Sequence, residues 1–253
     1  MSALITEPLF YLAAIPAVLL TAIAKSGFGG LAGLAVPLMS LVIAPPQAAA
    51  IMLPILCLMD LFSCWAYRKK WDKTNIILML PGAVVGIGLG AALFGVLKPD
   101  HIRLFIGLIA VVFALHYWSK PGETEPRTAG QVRGGLWGAV AGFTSFLAHT
   151  GGPPAYVYLL PQQMDRTTFV ATSVFFFFAV NYLKLLPYAW LGLFDFTNLA
   201  TAAVLAPLAP FGVWFGLILH KRVNDKLFYN ICYSALLVIG IKLLFDGGTG
   251  FFL

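Results

Sequence analysis

Ten runs of apolar residues, most of them long enough to cross a membrane as a helix, decide what this chain can fold into. The chain of 253 residues is 60% hydrophobic and only 10% charged, whereas a soluble domain carries about 25% charge. The runs also lack the alternation expected of outer-membrane barrel strands. The sequence therefore predicts an all-α polytopic membrane protein. The runs cover residues 8–24, 30–45, 48–67, 75–97, 101–118, 132–147, 153–162, 168–189, 197–219 and 227–245.

The most polar stretch of the chain divides these runs into two sets of five. It lies at residues 119–131 and contains proline and glycine residues typical of a linker. We predict a first repeat at 1–118, a cytoplasmic linker at 119–131 and a second repeat at 132–253. Because five is odd, the second set enters the membrane from the opposite side, so the two repeats are expected to be inverted.

A short motif occurs once in each predicted half. Asp72-Lys73-Thr74-Asn75 recurs as Asp195-Phe196-Thr197-Asn198. Four further residues match at corresponding places: Asp60 with Asn181, Tyr67 with Tyr188, Gly86 with Gly212, and Gly90 with Gly216. In a membrane chain, such doubling is typical of a transporter built from two related halves with the substrate between them.

Basic residues predict which side of the membrane each loop faces. If the loops alternate, one side receives twelve of the 16 Lys and Arg residues, and the other receives only Lys98 and Arg103. Because Lys and Arg collect in cytoplasmic loops, we assign the first side to the cytoplasm and both termini to the outside. The expected location is the bacterial inner membrane. The net charge of +6 is explained by these Lys and Arg residues in cytoplasmic loops and does not indicate a nucleic-acid partner.

Two breaks interrupt the apolar segments, one in each half. Residues 133–162 are too few for two crossings, which need about 40 residues, and Pro153 and Pro154 cannot donate backbone hydrogen bonds. Segments six and seven are therefore expected to form a broken or re-entrant hairpin. Segments one and two are broken in the same way at residues 25–30. Irregular backbone at membrane depth is tolerated only where it is buried or lines a cavity.

The residues at these two breaks form the predicted substrate site. Half-helices that begin near Gly29 and near Pro154 would direct N–H groups and the positive ends of their dipoles towards a small anion. The predicted substrate-binding residues are Lys25, Ser26, Gly27, Gly29, Gly30, His149, Thr150, Gly151 and Gly152. In the alternative interpretation, the glycines only allow tight helix packing and Lys25 extends to the cytoplasmic surface.

One carboxylate lies deep within a predicted membrane segment. A charge in that position costs about 2.5–3.5 kcal/mol, so Asp60 is expected to face a cavity or to pair with a cation such as Lys25. Its role stays open between proton carrier, gating group and ion-pair partner. Asn181 and Lys184 join it as predicted coupling or gating residues, although Lys184 could equally reach the outer surface beside Tyr188.

No catalytic residue, cofactor or metal site is predicted. Ser145 and His149 lack a Gly-x-Ser-x-Gly context, and the chain has no Walker A motif. The three cysteines lie inside apolar runs without metal-ligand spacing. Gly82, Gly86 and Gly90 form a small-residue face that lets another helix approach closely. We expect that helix to belong to the same chain, with a homodimer contact as the alternative.

Three stretches are specific enough to suggest a family. They are Ala24-Lys25-Ser26-Gly27-Phe28-Gly29-Gly30 with Pro37, Gly151-Gly152-Pro153, and Tyr67-Arg68-Lys69-Lys70-Trp71. With these, essentially the whole chain resembles the TauE/SafE family of sulfite and organosulfonate transporters. The resemblance implies a secondary transporter for the export or uptake of a small sulfur oxyanion such as sulfite, sulfoacetate or a related sulfonate, and we expect export. The residues alone indicate a site for a small anion. A carrier of another anion such as a carboxylate, and a non-transporting scaffold subunit, remain alternatives.

Overall fold

The regular structure of this protein is helical. The computed structural model describes residues 4–5, 7–27, 33, 35–94, 96, 98–119, 128–159, 162, 164–222 and 225–252, and no strand occurs in these ranges. The helices are α1 (Pro8–Gly27), α2 (Ala35–Met39), α3 (Pro45–Tyr67), α4 (Lys73–Phe94), α5 (Pro99–Ser119), α6 (Gln131–Ala148), α7 (Gly152–Leu159), α8 (Arg166–Trp190), α9 (Phe196–Leu205), α10 (Leu208–Arg222) and α11 (Asp225–Phe252).

Four of these helices, α1, α3, α4 and α8, are long and apolar enough to cross a membrane. The bent pair of α9 and α10 provides a fifth candidate span. By contrast, α7 has eight residues and is only about 12 Å long, well short of the roughly 30 Å hydrocarbon core. The prediction of an all-α membrane protein is confirmed.

The segment predicted at 197–219 is a bent pair of helices rather than one straight helix. Helix α9 ends at Leu205, α10 begins at Leu208, and the two differ in direction by 43°. Pro207 lies in the gap. It has no N–H group to continue the helix, and its ring clashes with the carbonyl of the preceding turn, which explains the bend.

The segment predicted at 30–45 is also shorter than expected within the described residues, because α2 covers only Ala35–Met39. Two prolines at the start of α3 set the boundary. Ala44 adopts an extended conformation with ψ 139°, as expected for a residue that precedes proline. Helix α3 then begins at Pro45, where a missing N–H carries no penalty.

The two copies of the duplicated motif have the same local structure. Asp72 accepts a hydrogen bond from the backbone N–H of Asn75 at 3.0 Å, just before α4. Asp195 accepts one from the N–H of Asn198 at 2.8 Å, just before α9. Both aspartates cap a helix, and both asparagines are buried. The shared motif is therefore a helix-start signal used twice.

Helices α3 and α8 contact each other and contribute many of the buried side chains, and glycines allow close contact in other helix pairs. Between α4 and α6 the backbones touch: a Cβ added at Gly82 or Gly86 would overlap a carbonyl oxygen of α6, and one added at Gly138 or Gly142 would overlap a carbonyl oxygen of α4. The small-residue face of α4 is thus used within the chain. Glycines also bring α10 against α1, and α11 against α5.

We predict that Gly86→Val destabilises the protein by roughly 3 kcal/mol, because the added side chain overlaps the Ala139 carbonyl and forces the backbones apart. Gly88→Val on the same helix is the matched control, since a Cβ there meets nothing within 4 Å. Thermal denaturation of the purified variants in detergent measures both. Equal midpoints for the two variants would show that the close α4–α6 contact is unimportant for stability.

Candidate functional site

A partly open cavity lies where α1, α3, α6, α7 and α8 meet. The cavity is lined by Lys25, Leu56, Ser145, His149, Gly152, Tyr156, Ser173, Val174, Phe177 and Asn181. Helices α1 and α6 both end beside it, so the two predicted breaks converge on one space.

A buried ion pair joins α1 to α3 at this cavity. The Nζ atom of Lys25 lies 2.6 Å from Oδ1 of Asp60, and both side chains are buried. The other carboxylate oxygen of Asp60 accepts a hydrogen bond from the Asn181 amide at 2.7 Å. The predicted Lys25–Asp60 pairing is confirmed, and Lys25 does not extend to the cytoplasmic surface.

Lys184 is held inside the protein by three polar contacts rather than extended to the outer surface. Its side chain is fully buried, with 0% exposure. The Nζ atom lies 3.0 Å from the carbonyl oxygen of Ser145, 2.9 Å from the Ser145 hydroxyl and 2.7 Å from Nδ1 of His149. An ammonium group has three donors, so each can find a partner in this cluster.

His149 reaches this position because α6 ends in a left-handed residue. Its φ is 54°, a conformation that is uncommon outside glycine and costs roughly 1–2 kcal/mol. Its N–H bonds to the Ser145 carbonyl and the Thr150 N–H bonds to the Thr144 carbonyl, which closes the helix as glycine normally would. The ring then places Nε2 at 2.9 Å from the Ala49 carbonyl oxygen.

The chain three residues beyond the first predicted break lies close to the second break. A Cβ added at Gly33 would lie 3.2 Å from the Thr150 methyl group. Gly152 begins α7 and faces the cavity. Gly151 instead packs against α6, where an added Cβ would lie 2.6 Å from the Ala141 carbonyl oxygen. It allows close packing, as the alternative interpretation of the glycines expects.

The remaining predicted site residues have different surroundings. Ser26 directs its hydroxyl to the carbonyl oxygens of Ala22 at 2.6 Å and Val213 at 3.1 Å. Thr150 donates its hydroxyl hydrogen to the Thr144 carbonyl at 3.2 Å. Gly27 is the last residue of α1, and Gly29 and Gly30 lie outside the described residues. Lys25, His149, Gly152 and Asn181 are the predicted residues that line the cavity.

The half-helix after the second break offers fewer donors than predicted. Pro153 and Pro154 have no N–H groups, and the Ala155 N–H bonds to the Gly151 carbonyl at 3.2 Å. Gly152 is therefore the position in that first turn whose N–H can face an anion. After the first break, the described helix begins at Ala35 rather than near Gly29.

Sequence reasoning missed part of the cavity wall, namely Ser145, Tyr156, Ser173 and Phe177. Two of them carry a spacing signal. Ser145 lies one helical turn before His149, and Ser173 lies eight residues before Asn181, so each shares a helix face with a predicted site residue. The arrangement can offer positive charge and fixed hydrogen-bond donors to an anion. No group of three metal-ligating side chains occurs among the described residues.

The family model for the sulfite exporter TauE/SafE matches residues 14–243. Neither a curated protein nor a solved structure matches the chain. Members of this family are membrane transporters rather than enzymes, which removes the alternative of a non-transporting scaffold. The match spans most of the chain and includes both breaks, the buried ion pair and the cavity between them. This multi-pass membrane transporter therefore belongs to the TauE/SafE sulfite exporter family.

Proposed function

We propose that this transporter exports a small sulfur-containing oxyanion, such as sulfite, sulfoacetate or a related sulfonate, across the bacterial inner membrane. The cavity at the two breaks is the proposed substrate site. Family membership supports the substrate class, and the charge and donors of the cavity wall support an anion.

The charge around the cavity is the observation that carries this proposal. Lys25 and Asp60 neutralise each other at 2.6 Å. Lys184 has no carboxylate among the partners described for it and bonds instead to neutral Ser145 and His149. When Lys184 is an ammonium, the net charge of Lys25, Asp60 and Lys184 is +1. A buried charge without a counterion is costly, and a bound anion would remove that cost.

The placement of the donors favours a tetrahedral head group over a planar one. Lys25 lies in the last turn of α1, Ser145 lies on α6 and Gly152 starts α7, so donors reach the cavity from three helices. A sulfonate has three oxygens that point in different directions, whereas a carboxylate has two in one plane. The carboxylate carrier remains the second candidate, because fixed donors of this kind can also bind it.

We further propose that the two halves are inverted repeats, with equivalent residues meeting near their common axis. Three observations support this. The matched pair Asp60 and Asn181 bond to each other at 2.7 Å. The matched Tyr67 and Tyr188 each donate a 2.6 Å hydrogen bond to a carbonyl near the end of α1 or α6. The matched motifs cap α4 and α9.

Flux in liposomes that contain only this protein tests the proposed function. Vesicles are loaded with labelled sulfite, sulfoacetate or acetate, and efflux is followed after dilution. We expect efflux of the two sulfur anions well above that of empty vesicles, with acetate slower. Equal rates for acetate would favour the carboxylate carrier, and no efflux of any of the three would contradict anion export.

For the Lys25–Asp60 ion pair, we predict that a second substitution restores stability but does not restore anion binding. Asp60→Asn leaves Lys25 as a buried unpaired charge and should cost about 3–5 kcal/mol. Adding Lys25→Met removes that charge, so stability should recover in the double variant while anion binding stays weak. Thermal denaturation and isothermal titration with a sulfonate measure the two properties. Wild-type binding by the double variant would remove Lys25 from the substrate site.

For the second break, Gly152→Val should abolish sulfonate binding in a protein that stays folded, because the side chain occupies the cavity. Gly151→Val is the matched comparison. It should instead destabilise the fold by about 1–3 kcal/mol or more, since its Cβ would press on the Ala141 carbonyl. Size-exclusion profiles and titration of both variants separate the two effects. Normal binding by a folded Gly152→Val variant would place the site elsewhere.

For the topology, we propose that both termini face the outside and that the basic loops at 68–73 and 221–226 face the cytoplasm. Replacing Cys57, Cys64 and Cys232 with alanine gives a background for single added cysteines. A membrane-impermeant thiol reagent should then label cysteines at both termini from outside, and cysteines in the basic loops only after the membrane is opened. Cytoplasmic labelling of one terminus would contradict the five-plus-five arrangement.

A further inference from the structure

One hydrogen atom must lie between Nζ of Lys184 and Nδ1 of His149, because the two nitrogens are within hydrogen-bond distance. The Ala49 carbonyl can only accept, so Nε2 of His149, 2.9 Å away, carries a hydrogen. Nδ1 lies 2.7 Å from the Lys184 Nζ atom. The contact is thus an ammonium that donates to a bare Nδ1, an imidazolium that donates to a neutral amine, or a neutral amine that donates to a neutral imidazole. The first two arrangements hold one extra proton between the two residues.

The hydroxyl of Ser145 distinguishes the protonated pair from the unprotonated one. A Lys184 ammonium donates to the Ser145 carbonyl, the Ser145 hydroxyl oxygen and Nδ1 of His149, using all three donors. The Ser145 hydrogen is then available to the cavity, which Ser145 lines. A neutral amine has only two hydrogens and one lone pair. With those hydrogens on Nδ1 and the carbonyl, the lone pair accepts the Ser145 hydrogen, and Ser145 presents oxygen lone pairs to the cavity.

We propose that Lys184 and His149 together bind one proton along with the substrate anion, and that the Ser145 hydroxyl couples the two binding events. The proposal rests on the proposed function, because it assigns a coupling device to the same anion site. Protonation adds one positive charge behind the cavity and turns a donor towards the anion. Loss of the proton removes the charge and turns an acceptor towards it. Anion and proton therefore raise each other's affinity, as linkage requires.

The other ionisable groups around the pair leave this charge uncompensated. Lys25 on α1 and Asp60 on α3 form their own ion pair. Cys57 on α3 is near enough to interact electrostatically with Lys184, Tyr188 on α8 stacks on His149, and Tyr156 on α7 lines the cavity. Ordinary thiols and phenols are neutral near pH 7. Among the described neighbours, the proton on the pair thus sets the net charge that the anion meets.

The experiment measures the dissociation constant of methanesulfonate, which stays a monoanion throughout, from about pH 5 to pH 10, a range chosen around the ordinary pKa values of imidazole and amine groups. We expect the constant to rise by about tenfold per pH unit over part of this range, for a total on the order of 100-fold. Proton uptake in weakly buffered solution, read with an indicator dye, should approach one proton per anion over the same part.

Four variants identify the groups responsible. Lys184→Met with His149→Asn should make binding independent of pH, and asparagine tolerates the left-handed backbone of His149. Ser145→Ala should keep the proton site but reduce the total pH effect by about tenfold, as expected for one lost charge-assisted hydrogen bond. Thr144→Ala is its matched control, because that hydroxyl donates to the Val140 carbonyl of its own helix at 2.9 Å. Lys242→Met removes an exposed lysine and should change nothing.

Each possible result decides the question. Methanesulfonate binding that does not depend on pH in the wild type would overturn this proposal alone. Binding of neither methanesulfonate nor sulfite would overturn the proposed function and this proposal with it. If the Lys184→Met, His149→Asn variant still takes up about one proton per anion, the proton belongs to Asp60. The same holds if proton uptake is lost only in Asp60→Asn. If the Lys184→Met, His149→Asn variant is not monodisperse, the comparison of Ser145→Ala with Thr144→Ala provides the test. A pH effect in Ser145→Ala as large as in the wild type would overturn the coupling.

Discussion

The carboxylate of Asp60 is the group on which the centre of this protein depends. It is completely buried, and each of its oxygens has a partner on a different helix, Lys25 on α1 and Asn181 on α8. A carboxylate in the membrane interior is costly unless it is paired and hydrogen-bonded. These contacts therefore fix where the end of α1 lies against α3 and α8. The cavity lies beside the last turn of α1, next to these contacts.

Sequence reasoning located the centre of the site but not its inner wall. Asp60 was expected to face a cavity or to pair with a cation such as Lys25, and this argument needs only the apolar pattern and the cost of a buried charge. The breaks at 25–30 and 151–154 were visible as glycines and prolines. Pro207 also indicates the bend between α9 and α10, but it lies inside a continuous apolar run, so the run was interpreted as one segment.

The surroundings of Lys184 could not be predicted in the same way. A lysine near the end of a membrane helix can extend to the surface or turn inward, and both choices fit the same sequence. What decides between them is the position of Ser145 and His149, 39 and 35 residues earlier in the chain. That position depends on the left-handed end of α6, and histidine is not the residue that normally signals such an end. Tertiary contacts of this kind leave no local pattern.

The glycine-lined contacts described above also restrict how the protein can change shape. Where the backbones of α4 and α6 touch, carbonyl oxygens of one helix occupy the spaces that side chains would fill on the other. Sliding one helix past its partner would drive backbone into backbone, so each pair has to move as a rigid body. Alternating access in a transporter would then require motion between such pairs rather than within them. The hydrogen bond from Asn181 to Asp60 joins α8 to α3, so a motion that separates these two helices would have to stretch it.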